Sequence, residues 1–134
     1  MLGDLLYEEN GQITGTRVLE SETGAPRIEN SFHATGTLLG VHHTDDGTYV
    51  AVVRPDGTVF GGGQGMLVTE NGDVATWTGH GAGRLLAGGG VSFRGAVYYQ
   101  TTAEGLARLN GACGVFEYDV DGGGKTVGKI WEWK

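Results

Sequence analysis

Residues 48–72 read TYVAVVRPDGTVFGGGQGMLVTENG, and this stretch decides the fold. Its two extended segments, 48–54 and 58–69, contain many of the β-branched and aromatic residues that favour strands. Pro-Asp-Gly at 55–57 joins the two segments and Asn-Gly at 71–72 ends the second, and both sequences are typical of tight turns. The stretch therefore predicts an antiparallel hairpin followed at once by a further reversal of the chain.

The same alternation of extended segments and turn signals continues in both directions. Asn-Gly at 10–11 and Asp-Asp-Gly at 45–47 predict two more reversals, and glycine-containing segments at 22–26, 88–90 and 121–124 predict others. Between these signals lie nine extended segments, at residues 2–9, 12–21, 27–43, 48–54, 58–69, 73–86, 91–102, 112–120 and 125–134.

The short connections predict how these strands are arranged. Neighbours in sequence are expected to pair antiparallel, because parallel pairing needs crossovers of about a dozen residues or more, which the sequence lacks. AEGLARLN at 103–110 is the only candidate for a helical turn. We expect an all-β fold in one domain over residues 1–134, a closed antiparallel up-and-down barrel of about eight strands, since closure leaves no exposed edge. A Greek-key sandwich is the alternative.

Glycine is unusually frequent, with 27 in 134 residues, against about 7 % in ordinary proteins. One set occupies the predicted turns, where glycine adopts positive φ without steric cost. A second set lies inside predicted strands, where glycine marks bends or close approach of backbones. This second set either serves the architecture alone or widens a cavity inside the barrel; its members are Gly36, Gly40, Gly61, Gly62, Gly63, Gly65, Gly79, Gly81, Gly83 and Gly95.

The charge and composition exclude several classes of function. A net charge of −7, with basic residues scattered singly, argues against binding of nucleic acid. No apolar stretch reaches the roughly 18 residues of a membrane helix, and the first residues do not resemble a signal peptide, so we expect a cytoplasmic protein. The single cysteine, Cys113, excludes an internal disulfide framework.

Cofactor and metal sites are not predicted either. GGGQG at 61–65 is not followed by Lys-Ser or Lys-Thr or by a helix, so it does not match a phosphate-binding loop. The four histidines lack the spacing of zinc ligands, and adjacent residues of a strand point to opposite faces; they are His33, His42, His43 and His80. We therefore expect no cofactor and no metal.

The layout of the chain resembles the allene oxide cyclase-like barrel proteins. The resemblance rests on the serial hairpins together with GHGAG at 79–83, RGAVYY at 94–99, ARLN at 107–110 and KIWEW at 129–133. That family includes plant allene oxide cyclases, bacterial homologues and the barrel cyclases of spirotetronate polyketide biosynthesis. The resemblance implies an eight-stranded barrel with an apolar cavity, often in dimers or trimers, and carries over no catalytic position.

Aromatic side chains on the predicted strands are the candidates for a ligand site. Tyrosine and tryptophan suit such a site because each offers an apolar body and one polar group. The candidate substrate-binding residues are Trp77, Trp131, Trp133, Phe116 and Phe32. The candidate catalytic residues, which would polarise a carbonyl or move a proton, are Tyr98, Tyr118 and Glu117. Simple filling of the core is the alternative for the aromatic set.

From these observations we expect a barrel that binds a small, largely apolar molecule in its lumen and forms a homodimer or homotrimer. The resemblance implies a cyclase or isomerase of bacterial secondary metabolism, acting by holding a flexible substrate in a reactive conformation. The alternatives are a non-catalytic binding or carrier barrel, and a barrel whose lumen is filled.

Overall fold

The protein folds as an eight-stranded antiparallel barrel with one short 3-10 helix. The structure, a computed structural model, describes residues 2–134. The strands are β1 (Leu2–Val18), β2 (Arg27–Leu38), β3 (Val41–Val53), β4 (Thr58–Thr69), β5 (Val74–Leu85), β6 (Val91–Gln100), β7 (Cys113–Val120) and β8 (Lys125–Trp133). The 3-10 helix, Glu104–Leu109, connects β6 to β7.

Each strand pairs with its neighbours in sequence, and the ring closes between the first and the last strand. The order around the barrel is β1 to β8 without a crossover. Tyr7 in β1 lies opposite Leu38 of β2 on one side and Ile130 of β8 on the other. The predicted closed up-and-down barrel is therefore confirmed.

One predicted turn, Asn-Gly at 10–11, is wrong. These residues lie inside β1, which runs on for 17 residues. Asn10 lies opposite Thr35 and Val127 on the two neighbouring strands. A side chain at Gly11 would collide with the backbone of β2, so this glycine is needed for close approach of two strands and not for a reversal.

The predicted turn at 45–47 is also wrong, and this error matters for the site. Asp45 and Asp46 lie inside β3, and the chain instead reverses at Leu39 and Gly40, whose φ angles are 49° and 82°. The single extended segment predicted over 27–43 is thus split into β2 and the start of β3. Asp45 consequently alternates with its neighbours as a strand residue and points into the barrel.

The other turn signals are confirmed by positive φ angles where the chain reverses. Gly57, Gly72, Gly88 and Gly124 have φ angles of 87°, 84°, 88° and 84°. The predicted helical turn is confirmed as the 3-10 helix.

One end of the barrel is closed by apolar packing. Leu106 and Leu109 of the 3-10 helix are buried and join a cluster that includes Leu6, Leu38 and Leu67. These strand residues lie near the β2–β3 and β4–β5 connections. The helix therefore covers this end of the barrel, and the open part of the lumen lies farther along the strands.

Among residues 2–134, no helix has both the length and the apolar character needed to cross a membrane.

Candidate functional site: the lumen of the barrel

The barrel encloses a cavity of about 90 Å³. Its wall combines aromatic rings, glycine backbone and two carboxyl groups. The side chains that line it include Glu9, Phe32, Asp45, Tyr49, Trp77, Phe93, Phe116 and Tyr118.

Four glycines form a bare patch in this wall. Gly61 and Gly63 of β4 lie directly opposite Gly81 and Gly79 of β5, and all four line the cavity. None of them carries a side chain, so the wall is thin here, and the exposed ring of His80 lies against Gly62 between them. Two members also leave room for rings, since a Cβ at Gly81 would lie 2.9 Å from Phe116 and one at Gly61 would lie 3.4 Å from Phe93. The glycines inside strands thus serve both packing and the cavity.

Trp77 is held in place by glycines as well as by a hydrogen bond. Its indole ring lies against Gly47 and Gly65, where any side chain would collide with it. It stacks on Phe32 with ring centroids 6.2 Å apart. Its Nε1 donates a hydrogen bond of 2.8 Å to Oδ1 of Asp45.

Two buried carboxyls face each other in the cavity wall. Glu9 and Asp45 are only 4 % and 2 % exposed, both line the cavity, and each acts on the pKa of the other. Burial raises the pKa of Glu9 to about 7. Burial, followed by the charge and the hydrogen bond of Glu9, raises the pKa of Asp45 well above its usual range. Two adjacent carboxyls in an apolar site cannot both ionise readily, so the pair retains one proton.

His43 extends this pair into a chain of three. Its Nε2 lies 2.8 Å from Oε2 of Glu9, and its side chain is fully buried. Burial lowers the pKa of the imidazole, although the charge of Asp45 and a weak contact with the Gly36 backbone act in the opposite direction. Among the residues that the structure describes, Nδ1 has no hydrogen bond of good geometry. Glu9 is thus the central member of an Asp45–Glu9–His43 chain, which we call the carboxyl chain.

Tyr118 brings an unsatisfied hydroxyl to the same cavity. The hydroxyl is buried without a hydrogen-bond partner among residues 2–134. Burial, with the Tyr49 hydroxyl close by, raises the pKa of Tyr118, which keeps the phenol protonated. Its ring packs 5.5 Å from Phe32 and 6.2 Å from Phe93, measured between centroids. A ligand in the cavity could therefore receive a hydrogen bond from Tyr118.

Four of the eight predicted site residues have their side chains in the lumen. Phe32, Trp77, Phe116 and Tyr118 line the cavity.

The remaining four predicted site residues direct their side chains elsewhere. Tyr98 is 53 % exposed and Trp133 is 60 % exposed. Trp131 shares the outer face of β8 with Trp133, because the alternate residue Ile130 is the one that points inward. Glu117 lies in the wall between Phe116 and Tyr118, but its carboxylate lies on the outside, 4.0 Å from Arg94. Their expected placement inside the barrel is therefore corrected.

Sequence reasoning missed the carboxyl chain. Asp45 was assigned to a turn, Glu9 was placed next to another false turn, and His43 was considered only as a metal ligand. Read as one strand, residues 43, 45, 47 and 49 share a face, and that face carries Tyr49. This alternation was the available signal. No group of three or more His, Cys, Asp or Glu side chains within residues 2–134 is arranged to hold a metal ion.

Comparison with known proteins gives the fold. Neither a protein-family model nor a curated protein sequence matches the chain. A protein of unknown function from Rhodopseudomonas palustris has a similar structure, with a TM-score of 0.83 at 11 % identity over 98 % of this chain and 97 % of that one. A protein of unknown function from Clostridium acetobutylicum matches with a TM-score of 0.83 at 10 % identity over 98 % of both chains.

A β-barrel-like protein from Acinetobacter baumannii is similar as well, with a TM-score of 0.84 at 13 % identity over 100 % of this chain and 96 % of that one. At such low identity these likenesses establish the fold alone. They support the barrel implied by the resemblance to allene oxide cyclase-like proteins, but they do not single out that family. The chain is therefore an eight-stranded β-barrel similar in structure to bacterial proteins of unknown function.

Proposed function

We propose that the barrel binds a small, largely apolar molecule in its lumen. The observation that carries this proposal is a cavity walled by aromatic rings and by the bare glycine patch of β4 and β5. Clefts of this composition, with a few convergent polar groups, are the usual form of small-molecule sites. Here the polar groups are the Glu9–Asp45 pair and the Tyr118 hydroxyl.

The cavity volume limits the size of the ligand. At about 90 Å³, it is smaller than the roughly 150 Å³ engineered cavity that takes up benzene. The ligand is therefore a compact molecule of no more than about six non-hydrogen atoms. This size favours a short ketone, aldehyde or cyclic compound over the long flexible substrates of polyketide cyclases.

The carboxyl pair favours an isomerase or cyclase over a carrier. Burying carboxyl groups costs free energy, and an apolar carrier site gains nothing from the cost. Perturbed titratable groups in a cleft are instead typical of sites that move protons. The non-catalytic carrier is the second candidate, and it is favoured only by the apolar character of the rest of the wall.

Binding can be tested by filling the cavity. Gly61→Ala adds a methyl group that makes only ordinary van der Waals contacts, the nearest to Phe93 at 3.4 Å, and it occupies part of the lumen. Gly15→Ala is the matched control, because Gly15 is an exposed strand residue with open space around it. The ligands are benzene and cyclopentanone, followed by NMR chemical shifts and by tryptophan fluorescence.

We expect both ligands to shift the resonances of the cavity residues in the wild type and in Gly15→Ala. In Gly61→Ala the affinity for both ligands should fall at least about tenfold, because the remaining space no longer holds a molecule of six non-hydrogen atoms. Equal affinity in the two variants would show that the ligands bind outside the lumen, and the absence of any binding would show that the lumen is a filled core.

A further inference from the structure

We propose that Glu9 and Asp45 are the acid–base pair of an isomerase that shifts a proton between carbon positions of a compact ketone or aldehyde. This inference rests on the proposed binding of small molecules in the lumen and assigns them a chemical class.

The geometry supplies an acid and a base side by side. Both carboxyls line the cavity, and each acts on the pKa of the other. Trp77 Nε1 lies 2.8 Å from Asp45, and His43 Nε2 lies 2.8 Å from Glu9. These contacts hold the two carboxyls in place when a ligand enters, and the proton of the pair turns toward the ligand.

The rest of the wall selects a carbonyl compound. Apart from the carboxyls, the cavity wall offers the Tyr118 hydroxyl, a hydrogen-bond donor without a partner among the described residues. A ketone oxygen can accept from Tyr118 and from the protonated carboxyl, while the aromatic rings surround its hydrocarbon part. A carboxylate ligand would place a third negative group beside the pair, and an amine would lack the oxygen acceptor.

The chemical step balances without a cofactor. Asp45 donates its proton to the carbonyl oxygen while the Glu9 carboxylate removes a proton from the adjacent carbon. The C–H electron pair becomes the C=C bond, and the C=O π pair forms the O–H bond of the enol. Glu9 then returns its proton to a different carbon of a conjugated enol, while the enol O–H gives its proton back to Asp45 and the O–H electron pair restores the C=O bond. Return of the proton to the original carbon regenerates the starting ketone. Burial raises the pKa of Asp45, which agrees with its role as the acid.

The tyrosines that face the pair do not lose their protons near neutral pH. Tyr7 of β1, Tyr49 of β3, Tyr99 of β6 and Tyr118 of β7 all have raised pKa values and remain protonated. Burial lowers the pKa of His43 and so favours its neutral form. Activity should therefore increase with pH as Glu9 ionises around pH 7.

The test is hydrogen–deuterium exchange at the α-carbon of butanone and cyclopentanone in D2O, followed by NMR. The full-length protein should accelerate exchange over buffer, and the rate should rise through about pH 7. Glu9→Gln and Asp45→Asn should each lower the rate at least about 100-fold, the scale of general acid–base catalysis. Glu8→Gln is the control, because Glu8 is the exposed neighbour on the outer face of β1.

Binding of cyclopentanone and of cyclopentane is measured in the same samples. Tyr118→Phe should weaken cyclopentanone about fivefold, the scale of one neutral hydrogen bond, and leave cyclopentane unchanged. Ketones that bind but do not exchange, or exchange that persists in Glu9→Gln and Asp45→Asn, would overturn the acid–base assignment while binding stands. If neither compound enters the lumen, the proposed function itself fails.

Folding of each variant is checked by far-UV circular dichroism. Should Glu9→Gln not fold, the carboxyl 13C shifts of wild-type Glu9 and Asp45 provide a second measurement. Cyclopentanone should change their titration curves, and curves that are identical with and without it would contradict the assignment.

Discussion

At the scale of single residues, Asp45 joins two parts of the lumen. It accepts a hydrogen bond from Trp77 and shares a proton with Glu9. Burial of the two carboxyls lowers the stability of the fold at neutral pH, because it disfavours the ionised form that each carboxyl takes in the unfolded chain. For Glu9, the difference between a pKa of 4.5 in the unfolded chain and about 7 in the fold corresponds to about 3 kcal/mol.

The sign of this cost gives a pH-dependent prediction for Asp45→Asn. A carboxyl whose pKa is raised by folding holds its proton longer in the native state, so its contribution to stability falls as pH rises above its unfolded pKa. Asparagine can accept from Trp77 and donate to Glu9 without ionising. We therefore expect the free energy of unfolding of Asp45→Asn to increase relative to that of the wild type as pH rises from 5 to 8, and its melting temperature to rise relative to the wild type in the same range.

The control is Asp46→Asn, which changes the adjacent, exposed carboxylate that pairs with His33 at 2.7 Å. Exposed ion pairs contribute little to stability, so its difference from the wild type should be small at every pH. His43 acts in the opposite direction below about pH 6.5, because burial lowers its pKa, and Asp45→Asn removes a charge that raises that pKa. The slope above about pH 6.5 therefore isolates the carboxyl. A constant offset between wild type and Asp45→Asn would mean that Asp45 is ionised in the fold.

The limits of sequence reasoning also lie at this scale. Alternation showed that Phe116 and Tyr118 share one face and Glu117 the other, but not which face is inside. That choice is made by the register of eight strands around the ring, which no local pattern contains. The sequence therefore predicts Tyr98 as a site residue, although its neighbour Tyr99 is the one that points inward and is only 9 % exposed.

At the scale of elements, all connections but the one between β2 and β3 could be predicted, and two turn signals, at 10–11 and 45–47, lie inside strands. Pro-Asp-Gly at 55–57 makes a turn because nothing else constrains it, whereas Asn-Gly at 10–11 is held straight by pairing on both sides. A turn sequence shows only that the backbone can reverse at that point. At residues 10–11, hydrogen bonds to β2 and β8 keep the chain extended. The reversal at Leu39 and Gly40 had a weak signal, because Leu39 is not a residue that favours positive φ.

The 3-10 helix is the element that covers one end of the barrel, and its leucines give the next prediction. Leu109 is completely buried, so Leu109→Ala should destabilise the protein by about 2–5 kcal/mol. Leu86→Ala is the control, since Leu86 is an exposed leucine in the connection between β5 and β6. Urea denaturation measures both, and a loss of under about 1 kcal/mol for Leu109→Ala would mean that the helix does not close the core.

At the scale of the whole molecule, the ring depends on pairing between the two ends of the chain. Tyr7 of β1 and Ile130 of β8 lie opposite each other, and both belong to the buried cluster beneath the 3-10 helix. Because every strand is paired on both sides, opening this seam exposes two strand edges at once. We expect unfolding in a single cooperative step, and folding on the millisecond-to-second timescale of proteins with distant contacts.

Ile130→Ala tests this dependence, with Val127→Ala as the control on the exposed face of the same strand. Ile130→Ala should lower the free energy of unfolding by about 2–4 kcal/mol, whereas Val127→Ala should change it by less than about 1 kcal/mol. Far-UV circular dichroism and tryptophan fluorescence should give the same urea midpoint in each protein, because β8 cannot detach while the ring persists. Two separate midpoints in Ile130→Ala would show that the seam opens first and that the remaining strands form a stable open sheet.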